Sequence, residues 1–235
     1  AVESLPEAGP EDRAQGEAHR IGRESQNNAD KQVEGGEVQG QNLVRQMSDL
    51  LPLQSQSRPC VGVAVAYRDG GEGVIRLARG IEEIGFDQLD VFDHVVMGYP
   101  TQSRDTPRYP PQMPVMEALM LLSYVSSATS KIGIGTEVLV LPQRQPVLVA
   151  KQVSTLDVLS GGRVRLGVGV GWQASEYDAL DQDFSNRGER MDDAIEILRS
   201  YWDHPEVTYE YKHYSSTSMA LEPKPPQGKN LPIWI

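Results

Sequence analysis

Residues 131–170 read KIGIGTEVLVLPQRQPVLVAKQVSTLDVLSGGRVRLGVGV. Two apolar runs, Lys131–Leu141 and Arg163–Val170, flank a segment of helical pattern from Pro146 to Leu159. Proline suits the first turn of a helix, where its missing N–H costs nothing. Gly161-Gly162 closes the helix, because glycine takes up the left-handed backbone that ends one. The two runs are apolar on both faces, which predicts strands covered on both sides. A helix between such strands makes them parallel.

The same unit repeats on either side. Val61–Ala66 reads as a buried strand, and Glu72–Ile84 as a helix with Val74, Leu77, Ala78, Ile81 and Ile84 on one face. Gln88–Phe92 is a second strand. Val115–Ala128 is a second helix, with Val115, Ala118, Leu119, Leu122 and Val125 in register. A fourth helix runs from Gly188 to Trp202, preceded by Asn186 and Glu189 in the spacing of a capping box. Val207–Tyr211 and the residues after it predict a small surface hairpin. Leu231–Ile235 begins a fifth strand. The alternation of strands and helices gives an α/β protein with a parallel sheet. Periodicity leaves two architectures open: a doubly wound open sheet, or a TIM (β/α)8 barrel.

Composition narrows the function classes. The chain has 235 residues, is 39% hydrophobic and 23% charged, and carries a formal net charge of −11. The acidic balance and the lack of a Lys/Arg stripe predict no nucleic-acid partner. No run of about 18 apolar residues exists, so no membrane span is expected. One cysteine, Cys60, excludes a disulfide framework and any multi-cysteine metal cluster. Asp178, Asp181 and Asp183 lack the glycine and terminal glutamate of a calcium loop, so no metal site is expected there. The sequence does not open on a charged-then-apolar leader, and a reducing, cytoplasmic setting is the expectation.

Residues 1–58 differ from the rest. They hold 10 acidic and 6 basic residues, no aromatic residue, and clusters such as Gln26-Asn27-Asn28. Such a segment buries too little apolar surface to offset its ordering entropy, so a disordered extension is expected before a domain spanning 59–235. A turn of helix over Leu43–Leu53 is the one local structure expected within it.

In both candidate architectures functional groups gather at the C-terminal ends of the strands. Tyr67, Arg68 and Asp69 follow the first strand, and Asp93 and His94 the second. Thr136, Glu137 and Val138 end the third. Gly169, Gly171, Trp172, Ser175 and Glu176 follow the fourth, ahead of an acidic stretch from Glu176 to Asp183. His94 is the strongest catalytic candidate, since an imidazole at a strand end moves protons near neutral pH. Asp93 beside it is expected to set its tautomer or to bind a ligand itself. The loop from Val95 to Pro114 is long where about 2–6 residues are usual, which points to a substrate wall. Gly167-Val168-Gly169-Val170-Gly171 has the wrong spacing for a dinucleotide fingerprint. Its glycines either let a planar or phosphorylated ligand approach or relieve crowding in a barrel.

Several of these stretches together resemble the luciferase-like monooxygenase family of flavin- and deazaflavin-dependent oxidoreductases. They are Gly85-Phe86-Asp87 through Asp93-His94; 135–142 with 146–152; 155–163 through Trp172; Asp183-Phe184 with Arg187-Gly188; and 232–235. The resemblance implies a TIM barrel with coenzyme F-420 or FMN across its mouth, the strings 139–142 and 155–163 favouring coenzyme F-420. It implies that His94 assists proton and hydride movement and that Asp93 contacts the ring or its partner. It places a bulge at Glu137-Val138 behind the ring, often with a non-prolyl cis peptide. The resemblance further implies that Thr136, Gly169, Gly171 and Ser175 border the cofactor, the last at a position where relatives often carry Asn. A small organic substrate and a homodimer are further expectations.

A TIM barrel takes eight βα units and about 250 residues. Pro59 to Ile235 supplies 177 residues and five strands. A barrel cut after five strands is therefore expected, with strands 1 and 5 as edges and Val63, Ile134 and Val168 facing an unfilled interior. A non-catalytic remnant acting as an interaction module, and a nicotinamide-binding open sheet, stand as alternative readings.

Overall fold

The computed structural model describes residues 60–62, 70–102 and 108–235. The expected extension 1–58, the end of the first strand and Tyr67–Asp69 lie outside the described residues. A parallel sheet carries β1 (Cys60–Gly62), β2 (Gln88–Val91), β3 (Gly133–Thr136), β4 (Leu139–Val140), β5 (Val164–Gly169) and β8 (Ile233–Trp234). The helices are α1 (Gly70–Ile84), α2 (Ala118–Ser126), α3 (Pro146–Ser160), α4 (Ala174–Ala179) and α5 (Arg187–Asp203). An antiparallel hairpin, β6 (Val207–Glu210) and β7 (Ser215–Met219), follows α5 where a surface hairpin is expected.

Strand order decides between the two architectures. β1 pairs with β2, β2 with β3, β3 and β4 with β5, and β5 with β8, all in parallel. With β3 and β4 taken as one interrupted strand, each new strand adds beside the previous one. A doubly wound sheet needs a reversal of order at a switch point, and the described strands contain none. The chain supplies five successive strand positions of a (β/α)8 barrel.

The element ends follow local chemistry. Gly85, at φ +94, stops α1, its N–H bonding Ile81 and Glu82 carbonyls. Helix α2 starts three residues later than its periodicity predicts, because the Glu117 carboxylate accepts the Met120 N–H and caps it there. Gln145 caps α3 through the Leu148 N–H, and Gly161 and Gly162 end it with positive φ. The expected capping box before α5 does not form. Asn186 donates instead to Asp183, and Glu189 is held by Lys212 and His213.

The run expected as one strand over 131–141 is broken in two. The Glu137–Val138 peptide is cis, β3 ends before it and β4 resumes after it, still beside β5. The acidic stretch after the fifth sheet strand also contains a short helix, α4, in place of a continuous loop.

The expected inward set is reversed. Ile134 and Val168 are 0% and 1% exposed and lie on the helix-covered face. The alternate residues face the barrel interior: Gln88 and Asp90 on β2, Gly133 and Gly135 on β3, Arg165 and Gly167 on β5. Gln88 Nε2 donates to Asp90, and Arg165 pairs with Asp90 and stacks 3.9 Å over the Trp234 ring. Burial pushes the Asp90 carboxyl up by more than Gln88 and Arg165 pull it down. The reversal has a simple cause: period two is the same for both faces, so the polar set is the one that must face inward once the apolar set meets the helices.

Three apolar stripes close the outer layer: Val149, Val153 and Leu156 of α3; Ala194, Ile197, Leu198 and Trp202 of α5; and Leu119, Leu122 and Val125 of α2. The Trp202 indole donates to the Ala150 carbonyl at 3.1 Å, which fixes α5 against α3. Inside, β3 and β5 approach so closely that a Cβ on Gly167 would lie 2.0 Å from the Thr136 carbonyl oxygen. Backbone cannot retreat there without breaking the ladder. Gly167→Ala is expected to cost about 2 kcal/mol or more of stability, as overpacking does, read as a lower midpoint in urea unfolding. An unchanged midpoint would show that the two strands are free to separate.

Candidate active site

The C-terminal ends of the strands converge on His94. It is 8% exposed, and its Nδ1 lies 3.1 Å from Glu176 Oε2. The other carboxylate oxygen of Glu176 accepts the Val95 N–H at 2.6 Å and the Val96 N–H at 3.2 Å. Glu176 is 1% exposed. Burial alone raises its pKa. Hydrogen bonds from His94 and the two backbone N–H groups, with the polar Gln143 amide nearby, outweigh that and hold the carboxyl below its usual range. An ionised Glu176 accepts a proton-bearing Nδ1, which leaves Nε2 of a neutral imidazole as the acceptor.

Asp93 does not set the tautomer of His94, as expected, because its carboxylate is engaged on the other side. Oδ1 takes the Arg144 guanidinium at 2.8 Å and Oδ2 accepts the Val140 N–H at 3.1 Å. Arg144 also reaches Glu117 at 3.1 Å, so the residue that caps α2 joins the same chain of charges. Burial pushes the Asp93 carboxyl up by more than Arg144 and Val140 lower it. Asp93 thus ties the segment after the cis peptide to Arg144.

The predicted cofactor-facing residues fall in one band with differing surroundings. The Thr136 hydroxyl donates to the Gly167 carbonyl at 2.6 Å. The Glu137 N–H donates to Val91, and the Val138 side chain is 37% exposed. A Cβ on Gly169 would meet Val138 Cγ2 at 2.6 Å, and one on Gly171, at φ +68, would meet Val140 Cγ1 at 2.7 Å. Ser175 Oγ is buried with no hydrogen-bond partner. The same is true of Gln173 Oε1 and of both amide atoms of Gln143.

Rings surround the histidine. The Trp172 centroid lies 5.5 Å from that of His94 at 74°, Tyr109 lies at 5.9 Å and 66°, and Phe92 at 6.4 Å and 71°. Tyr109 comes from the long loop, so the described part of that loop lies beside the histidine.

Gln143 and Arg144 are missed by reading residues one at a time, and Glu176, named among the residues after the fourth strand, is not singled out there as the partner of His94. Glu176 looks like the first of a run of surface acids. Tyr177, the next residue of α4, is fully buried with its hydroxyl on the Val170 carbonyl. Among the described residues no group of three His, Cys, Asp or Glu side chains could hold a metal ion. No helix among them is long and apolar enough to cross a membrane.

Successive parallel βα units with a paired imidazole beyond the strand ends place the chain among (β/α)8-type folds. A model of the luciferase-like monooxygenase family matches residues 54–235, and the chain belongs to that family. An uncharacterized protein of Mycobacterium tuberculosis is 30% identical over 169 residues, 68% of this chain and 57% of that protein. The coenzyme F-420-dependent tetrahydromethanopterin reductase of Methanopyrus kandleri superimposes with a TM-score of 0.59 at 20% identity. It is matched over 75% of this chain and 50% of that one. The FMN-bound oxygenating constituent of 3,6-diketocamphane monooxygenase from Pseudomonas putida gives a TM-score of 0.61 at 16% identity, over the same shares. These two likenesses establish the TIM-barrel fold. The chain spans a little over half the length of the Mycobacterium relative.

The buried carboxylate gives a pH test. The folded pKa of Glu176 lies below its unfolded value of about 4.3. Its stabilisation is therefore fully present above the unfolded pKa and is lost as pH falls through the folded one. Glu176→Gln is expected to lower stability by about 2 kcal/mol at pH 7, the scale of hydrogen bonds to a charged group. The gap from wild type should close below about pH 4. A gap that stayed constant from pH 7 to pH 3 would mean that the carboxylate charge plays no part.

Proposed function

We propose that this chain builds part of the active site of a flavin-type oxidoreductase acting on a small organic substrate, with coenzyme F-420 preferred to FMN. The observation that carries the reading is the His94–Glu176 pair at the strand ends, with Nε2 of His94 lacking a hydrogen-bond partner among the described residues. Membership of the luciferase-like monooxygenase family supports it. The preference for coenzyme F-420 rests on the resemblance of the strings 139–142 and 155–163.

The residues present suit a planar ring. The exposed Val138 side chain and the backbone at Glu137 offer a flat apolar wall, and the unpartnered Ser175 hydroxyl offers a polar contact at its border. Thr136, Gly169 and Gly171 would support that wall from beneath. When bound, the cofactor would supply the hydride or dioxygen chemistry that no side chain can. The protein's own residues do the rest. Glu176 fixes the tautomer of His94, and His94 Nε2 accepts or returns a proton at the substrate's polar atom. Asp93 and Arg144 hold the 3-10 turn Leu141–Gln143 in place behind them.

The test is the absorbance spectrum of the purified full chain on titration with coenzyme F-420 and with FMN. Saturable spectral change with coenzyme F-420 at lower concentration than with FMN is expected. His94→Ala is expected to lower turnover by ~10²–10⁴-fold, the range for a lost acid/base group, with cofactor affinity changed far less. Neither cofactor binding, or full turnover in His94→Ala, would overturn the assignment.

A further inference from the structure

The catalytic reading uses His94 and Glu176 but leaves the rings around them unexplained. Phe92, Tyr109 and Trp172 approach the imidazole from three elements: the end of β2, the long loop after it, and the segment after β5. Tyr109 and Trp172 also face each other, 6.4 Å apart at 58°, and Phe92 and Tyr109 lie 6.0 Å apart. Trp172 remains 43% exposed although it touches two other rings. Val95, Val96, Val138 and Val170 add exposed aliphatic surface to the strand ends. Aromatic rings with exposed aliphatic side chains and a few polar groups are the composition of a small-molecule site.

Among the described residues, the buried charges nearest the imidazole are paired, and Glu137 at the end of the third strand is exposed to solvent. Glu176 is engaged by His94 and two backbone N–H groups. Asp93, Arg144 and Glu117 neutralise one another in one chain. Arg108 stands 6.0 Å from the Tyr109 centroid and is itself exposed, so it is solvated as well as ring-bound. A charged substrate entering here would shed water without gaining a buried counter-ion, which is costly. An uncharged one would gain ring contact over its body and one hydrogen bond at Nε2.

From this we infer that Phe92, Tyr109 and Trp172 form a specificity-determining cage that selects an uncharged organic substrate. That substrate has an apolar body and a single polar head, seated with the head at His94 Nε2. The inference rests on the redox reading of the same site and adds the chemical class that the site admits. It assigns to Trp172 and Tyr109 a contact with substrate, and to Gln173, whose Nε2 holds the Val96 carbonyl at 2.8 Å, the placing of the strip of backbone between them.

The probes are cyclohexanol and cyclohexanecarboxylate, which share a ring and differ in charge. Binding of each to the full chain is measured by titration calorimetry, with and without saturating coenzyme F-420. Cyclohexanol is expected to bind at least about tenfold tighter than the carboxylate. Trp172→Ala and Tyr109→Ala should each weaken cyclohexanol by about 3–10-fold, the scale of one aromatic contact. Trp172→Phe should restore most of it. Cofactor affinity, read from absorbance, should stay within about twofold in all three variants, a shift too small for one lost aromatic contact.

Tighter binding of the carboxylate would overturn the inference and assign Arg108 the substrate's charge. Cyclohexanol binding unchanged in both alanine variants would overturn it too. So would a loss of cofactor affinity in place of alcohol affinity, since the cage would then be a cofactor wall. If no cofactor binds but cyclohexanol still depends on both rings, the cage stands and the redox reading falls. Because Trp172 is exposed, its truncation removes little core, and the Phe variant separates loss of contact from loss of fold.

Discussion

One carboxylate spans the mouth of the barrel. Glu176 comes from α4, after β5, yet all its hydrogen bonds to described residues run to the segment that leaves β2. It takes the imidazole with one oxygen and two successive backbone N–H groups with the other. Without it, the turn at 95–96 would hold two buried or half-buried donors with no acceptor, and His94 would be free to rotate. A buried unpaired donor costs about 1–3 kcal/mol, so the carboxylate's value lies as much in what it prevents as in what it binds. The position of the histidine, the start of the long loop and the direction of α4 all follow from that one group.

The barrel interior repeats this arrangement at two depths. Lower down, Asp90 is held by Gln88 and Arg165, and Arg165 lies on Trp234. Higher up, Asp93 is held by Arg144 and the Val140 N–H. In both places burial raises the carboxyl's pKa while a guanidinium opposes it. Glu176 has no guanidinium. It rests on neutral donors and one imidazole, and its pKa nonetheless falls. Asp90 and Asp93 are thus each paired with a guanidinium, and Glu176 with an imidazole and two successive backbone N–H groups.

How much of this was legible in the residues depends on range. The helices were legible because each carries its own stripe: Val74, Ala78 and Ile81 mark α1 without reference to anything else. Strand ends carrying Asp93 and His94 were legible for the same reason. The break in the third strand came only through resemblance, since Gly133 to Leu141 is continuously apolar apart from Thr136 and Glu137. The partner of His94 lies 82 residues away in an acidic run, and no local pattern distinguishes a carboxylate that turns inward from its solvated neighbours. The expected hold of Asp93 on the His94 tautomer fails because its carboxylate is taken by Arg144 and the Val140 N–H, 51 and 47 residues away. The extension 1–58 lies outside the described residues.

The glycine run at the end of β5 follows from the alternation of side chains along a strand. Gly167, Gly169 and Gly171 are two residues apart, so all three turn to one side of β5 and its continuation. A Cβ at the first would strike the Thr136 carbonyl, at the second Val138, and at the third Val140. Those targets climb the neighbouring segment in the same steps of two. The run is therefore the imprint of 136–140 on its neighbour: wherever that segment leans in, β5 gives up its side chain. A phosphate-binding fingerprint has a different geometry, because its glycines serve a turn into a helix and so break the period of two. Here the period holds until Gly171, whose positive φ turns the chain away and delivers Trp172 to the histidine. Spacing by two thus carries both results, the close approach that seats the third strand and the turn that sets the wall of the site.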